Sequence, residues 1–133
     1  GEAALSVGEW LRNLWDTQPE LSDRLYTVWT RSGGLATEVP PGEEPRHYVN
    51  ESQAVRQFHF NGGIAAACLA HIHMMTGDAA WLDLAREYLR LSMASTPDQF
   101  QTKQVCKSAW GAGLLSLITN DPCYDKWLAT MGD

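Results

Sequence analysis

The chain has 133 residues, which is enough for one domain with a core and too few for two. Its net charge is −6 with no basic cluster, and this argues against a nucleic-acid partner or an anionic membrane surface. Three cysteines without Cys-x-x-Cys spacing argue against a disulfide framework and a cysteine-based zinc site. No signal peptide or membrane-spanning run is visible, so we expect a soluble protein, with the cytoplasm favoured.

The first predicted element is a helix over 7–16. Ser6 and Glu9 have the spacing of a capping box, and apolar residues then recur at helical intervals. Residues 17–50 are predicted to form a β-hairpin and a loop. Aromatic and β-branched residues near 25–30, a Gly-Gly turn and a return up to residue 39 predict a small β-hairpin over 25–39. Three prolines then predict a loop up to residue 49.

Two helical hairpins are predicted over 51–131. Asn50 is the predicted N-cap of a first helix over 51–75, which is apolar or small on nearly every face. Gly77 ends this helix, and Asp78 caps an amphipathic helix over about 79–94. A loop leads to a helix over 103–117, and Asp121 with Pro122 starts a last helix.

The second hairpin is a degraded copy of the first. Thr76-Gly77-Asp78 matches Thr119-Asn120-Asp121 at an offset of 43 residues, whereas Trp81-Leu82 matches Trp127-Leu128 at 46. Repeats of this length indicate stacked units that bury their cores against neighbours. Long loops and tight turns alternate along the repeat, so its two ends differ.

The paired hairpins Gly62–Ala85 and Trp110–Ala129 resemble those of α/α-toroid proteins, which include six-hairpin glycosidases and terpenoid cyclases. The run from Trp10 to Gln18, followed by Asp23-Arg24-Leu25-Tyr26, is similar to the punctuation of cyclase repeats. The resemblance implies a mainly α fold in which antiparallel helical hairpins form part of an α/α toroid. A complete toroid has about a dozen helices. A missing toroid half, a second chain or a homo-oligomer would therefore complete the single domain 1–133.

The resemblance also implies a substrate site at the end where the long loops gather. The predicted catalytic residues are His59, Glu51 and Lys107, and the predicted substrate-binding residues are Trp29, Tyr48, Arg56, Asn61, Gln104 and Trp110. His59 is the first choice because it shares a helix face with small residues, which leave space for a ligand. A partly buried structural histidine is the competing interpretation, as is a helix-dipole role for Glu51 and core packing for Trp110. His71 and His73 are two apart and cannot chelate one ion together, so we interpret them as structural.

The sequence therefore predicts part of an α/α-toroid enzyme that acts on a sugar-like or polycyclic apolar small molecule by acid–base chemistry. A carbohydrate-active hydrolase, lyase or isomerase is preferred to a terpenoid-type cyclase, because the Asp-rich acid motif of cyclases is absent. No motif for a metal or a cofactor is present. The alternative is a non-catalytic helical-repeat module for protein–protein interaction or self-assembly.

Overall fold

The chain is mainly α-helical in the computed structural model, which describes residues 1–21, 23–50, 57–95 and 97–132. The helices are α1 (Glu2–Asp16), α2 (Glu44–His47), α3 (Phe60–Thr76), α4 (Ala79–Ala94), α5 (Val105–Thr119) and α6 (Pro122–Ala129). The short strands are β1 (Arg24–Tyr26), β2 (Trp29–Thr30), β3 (Gly34–Leu35) and β4 (Tyr48–Asn50). Two 3₁₀ turns, Pro97–Gln101 and Thr130–Gly132, complete the described elements. The predicted mainly α class with a small β-hairpin is confirmed.

The strands form two separate antiparallel pairs. β2 and β3 make the predicted hairpin, in which Trp29 lies opposite Leu35. β1 leaves this hairpin and pairs with β4, so the predicted loop up to residue 49 contains a strand. The physical reason is burial, because the cross-strand partners Leu25 and Val49 are both buried in the core. Asn50 ends β4, and the helix start predicted directly after it falls on residues outside the described part of the chain.

α3 begins later than the sequence predicts. The predicted helix over 51–75 is observed from Phe60, and residues 57–59 are not helical. A turn precedes α3, in which the Asn61 N–H donates to the Phe58 carbonyl. Residues 51–56 lie outside the described part of the chain.

The turns between α3 and α4 and between α5 and α6 are built by the same hydrogen bonds. In each, a threonine hydroxyl donates to the carbonyl four residues earlier and accepts from the aspartate N–H two residues later. The aspartate carboxylate then accepts from the N–H two residues further on and caps the next helix. The residue between them, Gly77 or Asn120, is left-handed with φ of 72° or 57°. The predicted offset of 43 residues is therefore reproduced bond by bond.

α3 lies at the centre of the helical layer and packs against α1, α4 and α5. Lys107 near the start of α5 contacts Phe60 at the start of α3, and Gly111 further along α5 lies beside Ala66 further along α3. The two helices therefore run parallel. The approach is close, because a Cβ atom on Gly63 would lie 2.3 Å from the Ser108 Cα. Small residues on α3 therefore serve helix packing on this side.

The core joins α1 and the strands to the two hairpins. Its largest fully buried side chain is Tyr88 of α4, whose hydroxyl donates to the Leu11 carbonyl of α1 at 2.5 Å. Trp15 meets the Tyr88 ring edge-on, with 4.7 Å between ring centroids. Among the described helices, none has the length and apolar character needed to span a bilayer.

Candidate functional site

An open depression of about 700 Å³ lies where the segments preceding α3 and α5 meet. We call it the His59 depression; the described residues that line it are Gln57, Phe58, Phe60, Asp98, Gln101, Thr102 and Gln104. These residues come from the predicted long-loop end of the hairpins. Its volume is within the range of small-molecule sites.

His59 lies behind the wall of this depression and is only 3% exposed. Its Nε2 atom is 3.6 Å from Oδ1 of Asp98, which is a charge contact longer than a hydrogen bond. Among the described residues, neither ring nitrogen of His59 has a hydrogen-bond partner. A buried polar group without a partner is costly and points to a functional role or to a bound molecule.

The electrostatic balance keeps the imidazole neutral near pH 7. Burial lowers the pKa of His59, and the nearby Asp98 carboxylate opposes this shift only in part. Asp98 is partly exposed, with 23% of its side chain accessible, and it lines the depression. A neutral imidazole that can accept a proton therefore lies directly behind a carboxylate that a ligand can reach.

The end of α4 holds the backbone segments that carry these two side chains. The Ser92 hydroxyl donates to the His59 carbonyl, and both residues are buried. Gly62 permits this contact, because a Cβ atom there would lie 2.4 Å from the Tyr88 carbonyl oxygen. On the other side, the Gln99 side-chain amide donates to the Ser95 carbonyl at 3.0 Å and fixes the 3₁₀ turn that carries Asp98.

One wall of the depression is aromatic. The rings of Phe58 and Phe60 lie 5.5 Å apart, and the Nζ atom of Lys107 lies 4.4 Å from the Phe60 ring centroid. The other described lining residues are mostly amides and a hydroxyl. An apolar face beside amide groups is the combination that suits a ring bearing hydroxyl groups.

The structure brings together only some of the predicted site residues. Gln104 lines the depression, His59 lies behind its wall beside Asp98, and Lys107 contacts the lining residue Phe60. Glu51 and Arg56 fall outside the described residues.

Four predicted binding residues lie elsewhere. Tyr48 packs against Arg24, whose guanidinium lies 4.0 Å from its ring centroid, and Trp29 stays in the β2–β3 hairpin. Asn61 lines a second groove, beside α1. Trp110 is half-exposed on α5 and contacts His71, with ring centroids 6.0 Å apart. It points away because Ser108 and Gly111 occupy the face of α5 that meets α3.

Asp98 is the residue that the sequence analysis missed. In the sequence, Thr96-Pro97-Asp98 indicates only the end of a helix, so nothing in this pattern suggests a functional role for the Asp98 carboxylate. The sequence offers one signal for Asp98, namely its position in a predicted long loop at the same end of the hairpins as His59. The prediction that His73 lies away from the site agrees with its contact with the Asp78 carbonyl at the tight-turn end, at 2.9 Å from Nδ1.

Comparison of the chain with family models, curated proteins and solved structures gives no match. Within the described ranges, no three His, Cys, Asp or Glu side chains converge closely enough to hold a metal ion.

Proposed function

We propose that the chain is part of an α/α-toroid enzyme that transfers protons on a sugar-like substrate bound in the His59 depression. The observation that carries the proposal is the buried His59 imidazole 3.6 Å from the partly exposed Asp98 carboxylate. Support for the toroid comes from the parallel helices α3 and α5, each followed by a tight turn and an antiparallel helix.

Asp98 is the group that a substrate meets first. Its carboxylate takes a proton from the substrate, and His59 behind it receives and stabilises that proton because the two groups then carry opposite charges. Asp98 is the one carboxylate among the described residues that line the depression. One carboxylate with a proton-accepting imidazole behind it is sufficient for proton transfer on a sugar, which is the chemistry of an isomerase, epimerase or lyase.

Hydrogen–deuterium exchange into substrates tests this proposal. The full chain is incubated in D₂O with a panel of hexoses, pentoses and N-acetylhexosamines, and deuterium uptake at each carbon is followed by NMR. We expect uptake at one carbon of one sugar class. Removing a general base reduces proton transfer by about 10²- to 10⁴-fold, so Asp98→Asn should reduce the rate by that factor.

His59→Gln should also slow the exchange and should change its pH profile, because His59 acts through Asp98. Lys103→Gln is the matched control, since Lys103 is an exposed residue beside the site that does not line it. Equal rates in the wild type and in Asp98→Asn, or no exchange with any sugar of the panel, contradict the proposal.

A second candidate function is a helical-repeat module that binds a protein partner or a second copy of itself. The observation in its favour is the exposed apolar surface of α3 and α5, which includes Ile64, Met75, Trp110 and Leu117. The contact between His71 and Trp110 makes the surface continuous across the two helices. Sedimentation equilibrium tests self-assembly: a mass that is a multiple of 14.8 kDa, lost in Trp110→Ser with Leu117→Ser, supports it.

A further inference from the structure

The C-terminal end of α3 carries three exposed side chains that can coordinate a soft metal ion. They are His71, Met74 and Met75, which we call the His71 cluster. Met74 is 51% exposed and Met75 is 56% exposed, although methionine is among the side chains most often buried. The cluster lies at the tight-turn end of the hairpins, and about 16 Å of helix separates His71 from Phe60 at the other end of α3.

Helical spacing places the three side chains of the cluster on one face. Met74 follows His71 by three residues and Met75 follows it by four, and the Cβ atoms of such pairs are about 5–6 Å apart. Since a helix turns by about 100° per residue, the two methionines flank His71 on opposite sides. Long side chains on a helix lean toward its N-terminus, over the residues three and four positions earlier. Both thioethers therefore extend toward the imidazole, and all three side chains can reach one ion.

The coordinating atoms of the cluster are free to bind. Among the described residues, His71 has no hydrogen-bond or ion-pair partner, and its ring meets that of Trp110 at a tilt of 55°. A methionine side chain has three rotatable bonds, so an exposed thioether can turn its sulfur atom onto an ion without disturbing the core. His73 lies on the opposite side of the helix, where its Nδ1 atom contacts the Asp78 carbonyl.

The type of ligand atom determines which metal the cluster prefers. Thioether sulfur is soft and selects Cu(I), whereas Mg²⁺, Ca²⁺ and Mn²⁺ prefer carboxylate and carbonyl oxygen atoms. A structural Zn²⁺ ion takes four ligands from cysteine, histidine and carboxylate side chains, and no three such groups converge within the described ranges. One imidazole and two thioethers therefore match a monovalent soft cation.

The electrostatic surroundings of the cluster also favour a cation. α3 ends at Thr76, and the carbonyl end of a helix carries about half a negative charge. α3 contains no lysine or arginine that would oppose binding, and the net charge of the chain is −6. The half-exposed Trp110 ring, whose centroid is 6.0 Å from that of His71, presents an electron-rich surface beside the cluster.

We infer that the His71 cluster binds one Cu(I) ion through the His71 imidazole and the Met74 and Met75 thioethers. This site goes beyond the proposed function, because it lies at the opposite end of α3 from the His59 depression and takes no part in proton transfer there.

NMR of the methionine methyl groups tests the inference with Ag(I), which has the charge and the ligand preference of Cu(I) and needs no reductant. The full chain is labelled with ¹³C at these methyl groups. The substitutions Cys68→Ala, Cys106→Ser and Cys123→Ser remove the free thiols, which would otherwise compete for the soft ion.

The four methionines of the chain give four methyl signals. We expect the signals of Met74 and Met75 to shift and to saturate at one Ag(I) ion per chain. Met93 and Met131 pack against the core, so their signals should stay in place and also report that the chain is folded.

Variants in the same background assign the ligands, with affinity measured by isothermal titration calorimetry. Changes outside the ligand shell already cost about 10- to 100-fold in metal affinity, so His71→Gln, and Met74→Leu with Met75→Leu, should each weaken Ag(I) binding at least about tenfold. Leucine is close to methionine in volume, so the double variant removes the sulfur atoms and keeps the helix. His73→Gln is the matched control and should bind as the parent chain does, because His73 lies on the other side of α3.

Other ions and the mass of the chain complete the test. Cu(I), added anaerobically with ascorbate, should shift the same two methyl signals, and Zn²⁺ should shift neither. Wild-type affinity for Ag(I) in His71→Gln overturns the inference, since only adventitious binding to separate thioethers would then remain. Equal shifts with Zn²⁺ also overturn it, as does a doubled mass of the Ag(I)-bound chain in sedimentation, because the ligands would then come from two copies.

Discussion

At the scale of single residues, the protonation of His59 couples the candidate site to folding. Burial lowers the pKa of His59 in the folded chain below the ordinary value of about 6.5 that it has when unfolded. The unfolded chain therefore binds this proton at a higher pH than the folded chain. The contribution of His59 to stability is fully present above about pH 6.5 and is lost as the pH falls through the folded pKa.

We therefore expect His59→Gln to reduce the loss of stability between pH 7.5 and pH 5.5. The measurement is the free energy of unfolding in urea at the two pH values for the variant and the wild type. His71→Gln is the matched control, because it removes a histidine of the exposed surface. The same pH dependence in His59→Gln as in the wild type would show that the buried imidazole does not titrate in this way.

At the scale of helices, glycines on α3 and α5 divide into those that packing requires and those that it does not. A Cβ atom on Gly63 would lie 2.3 Å from the Ser108 Cα, whereas one on Gly113 meets nothing within 4 Å. We expect Gly63→Ala to lower the free energy of unfolding by about 1–3 kcal/mol, because α3 and α5 must separate.

Gly113→Ala is the matched control for this prediction and should raise stability by about 0.5–1 kcal/mol, since alanine favours the helix at an unhindered position. Urea unfolding of both variants checks the pair. A rise in stability in both variants would mean that helix propensity, and not the contact between α3 and α5, controls the response.

The sequence was sufficient where local chemistry determines structure. Asp78 and Asp121 are the N-caps of α4 and α6 as predicted, because a side-chain cap needs only its neighbours along the chain. The same holds for the end of α3, where Gly77 adopts the left-handed conformation, whereas α5 continues past its predicted end at residue 117 to Thr119.

The sequence was insufficient where distant segments meet. β1 pairs with β4 instead of extending the β2–β3 hairpin, and Asp98 reaches His59 only after both hairpins are packed. α3 and α5 are apolar or small on every face, so their periodicity does not say which face is covered. The outward direction of Trp110 follows from the packing of its neighbours on α5 against α3.

At the scale of the whole molecule, α1 is fastened to the hairpins through Tyr88. Its hydroxyl bonds the buried Leu11 carbonyl across 77 residues of sequence. We expect Tyr88→Phe to destabilise the chain by about 0.5–1.5 kcal/mol, because the hydrogen bond between α4 and α1 is lost. Hydrogen exchange followed by mass spectrometry should show that the variant, compared with the wild type, exchanges faster over residues 2–16 and less so over residues 60–76.

Tyr124→Phe is the control for this prediction, since Tyr124 is a buried tyrosine of α6. It should leave exchange in α1 unchanged. Uniform acceleration across all helices in Tyr88→Phe would mean that α1 and the hairpins unfold as one unit, and that the Tyr88 hydroxyl does not fasten α1 separately.

The two tight turns also set an order of assembly. Each joins two helices that are neighbours along the chain, so α3 with α4 and α5 with α6 can close over short loops at little entropic cost. The contact of α1 with α4 and that of His59 with Asp98 close much longer loops. We therefore expect the hairpins to form first during folding, and the His59 depression and the groove beside α1 to take shape only in the final docking steps.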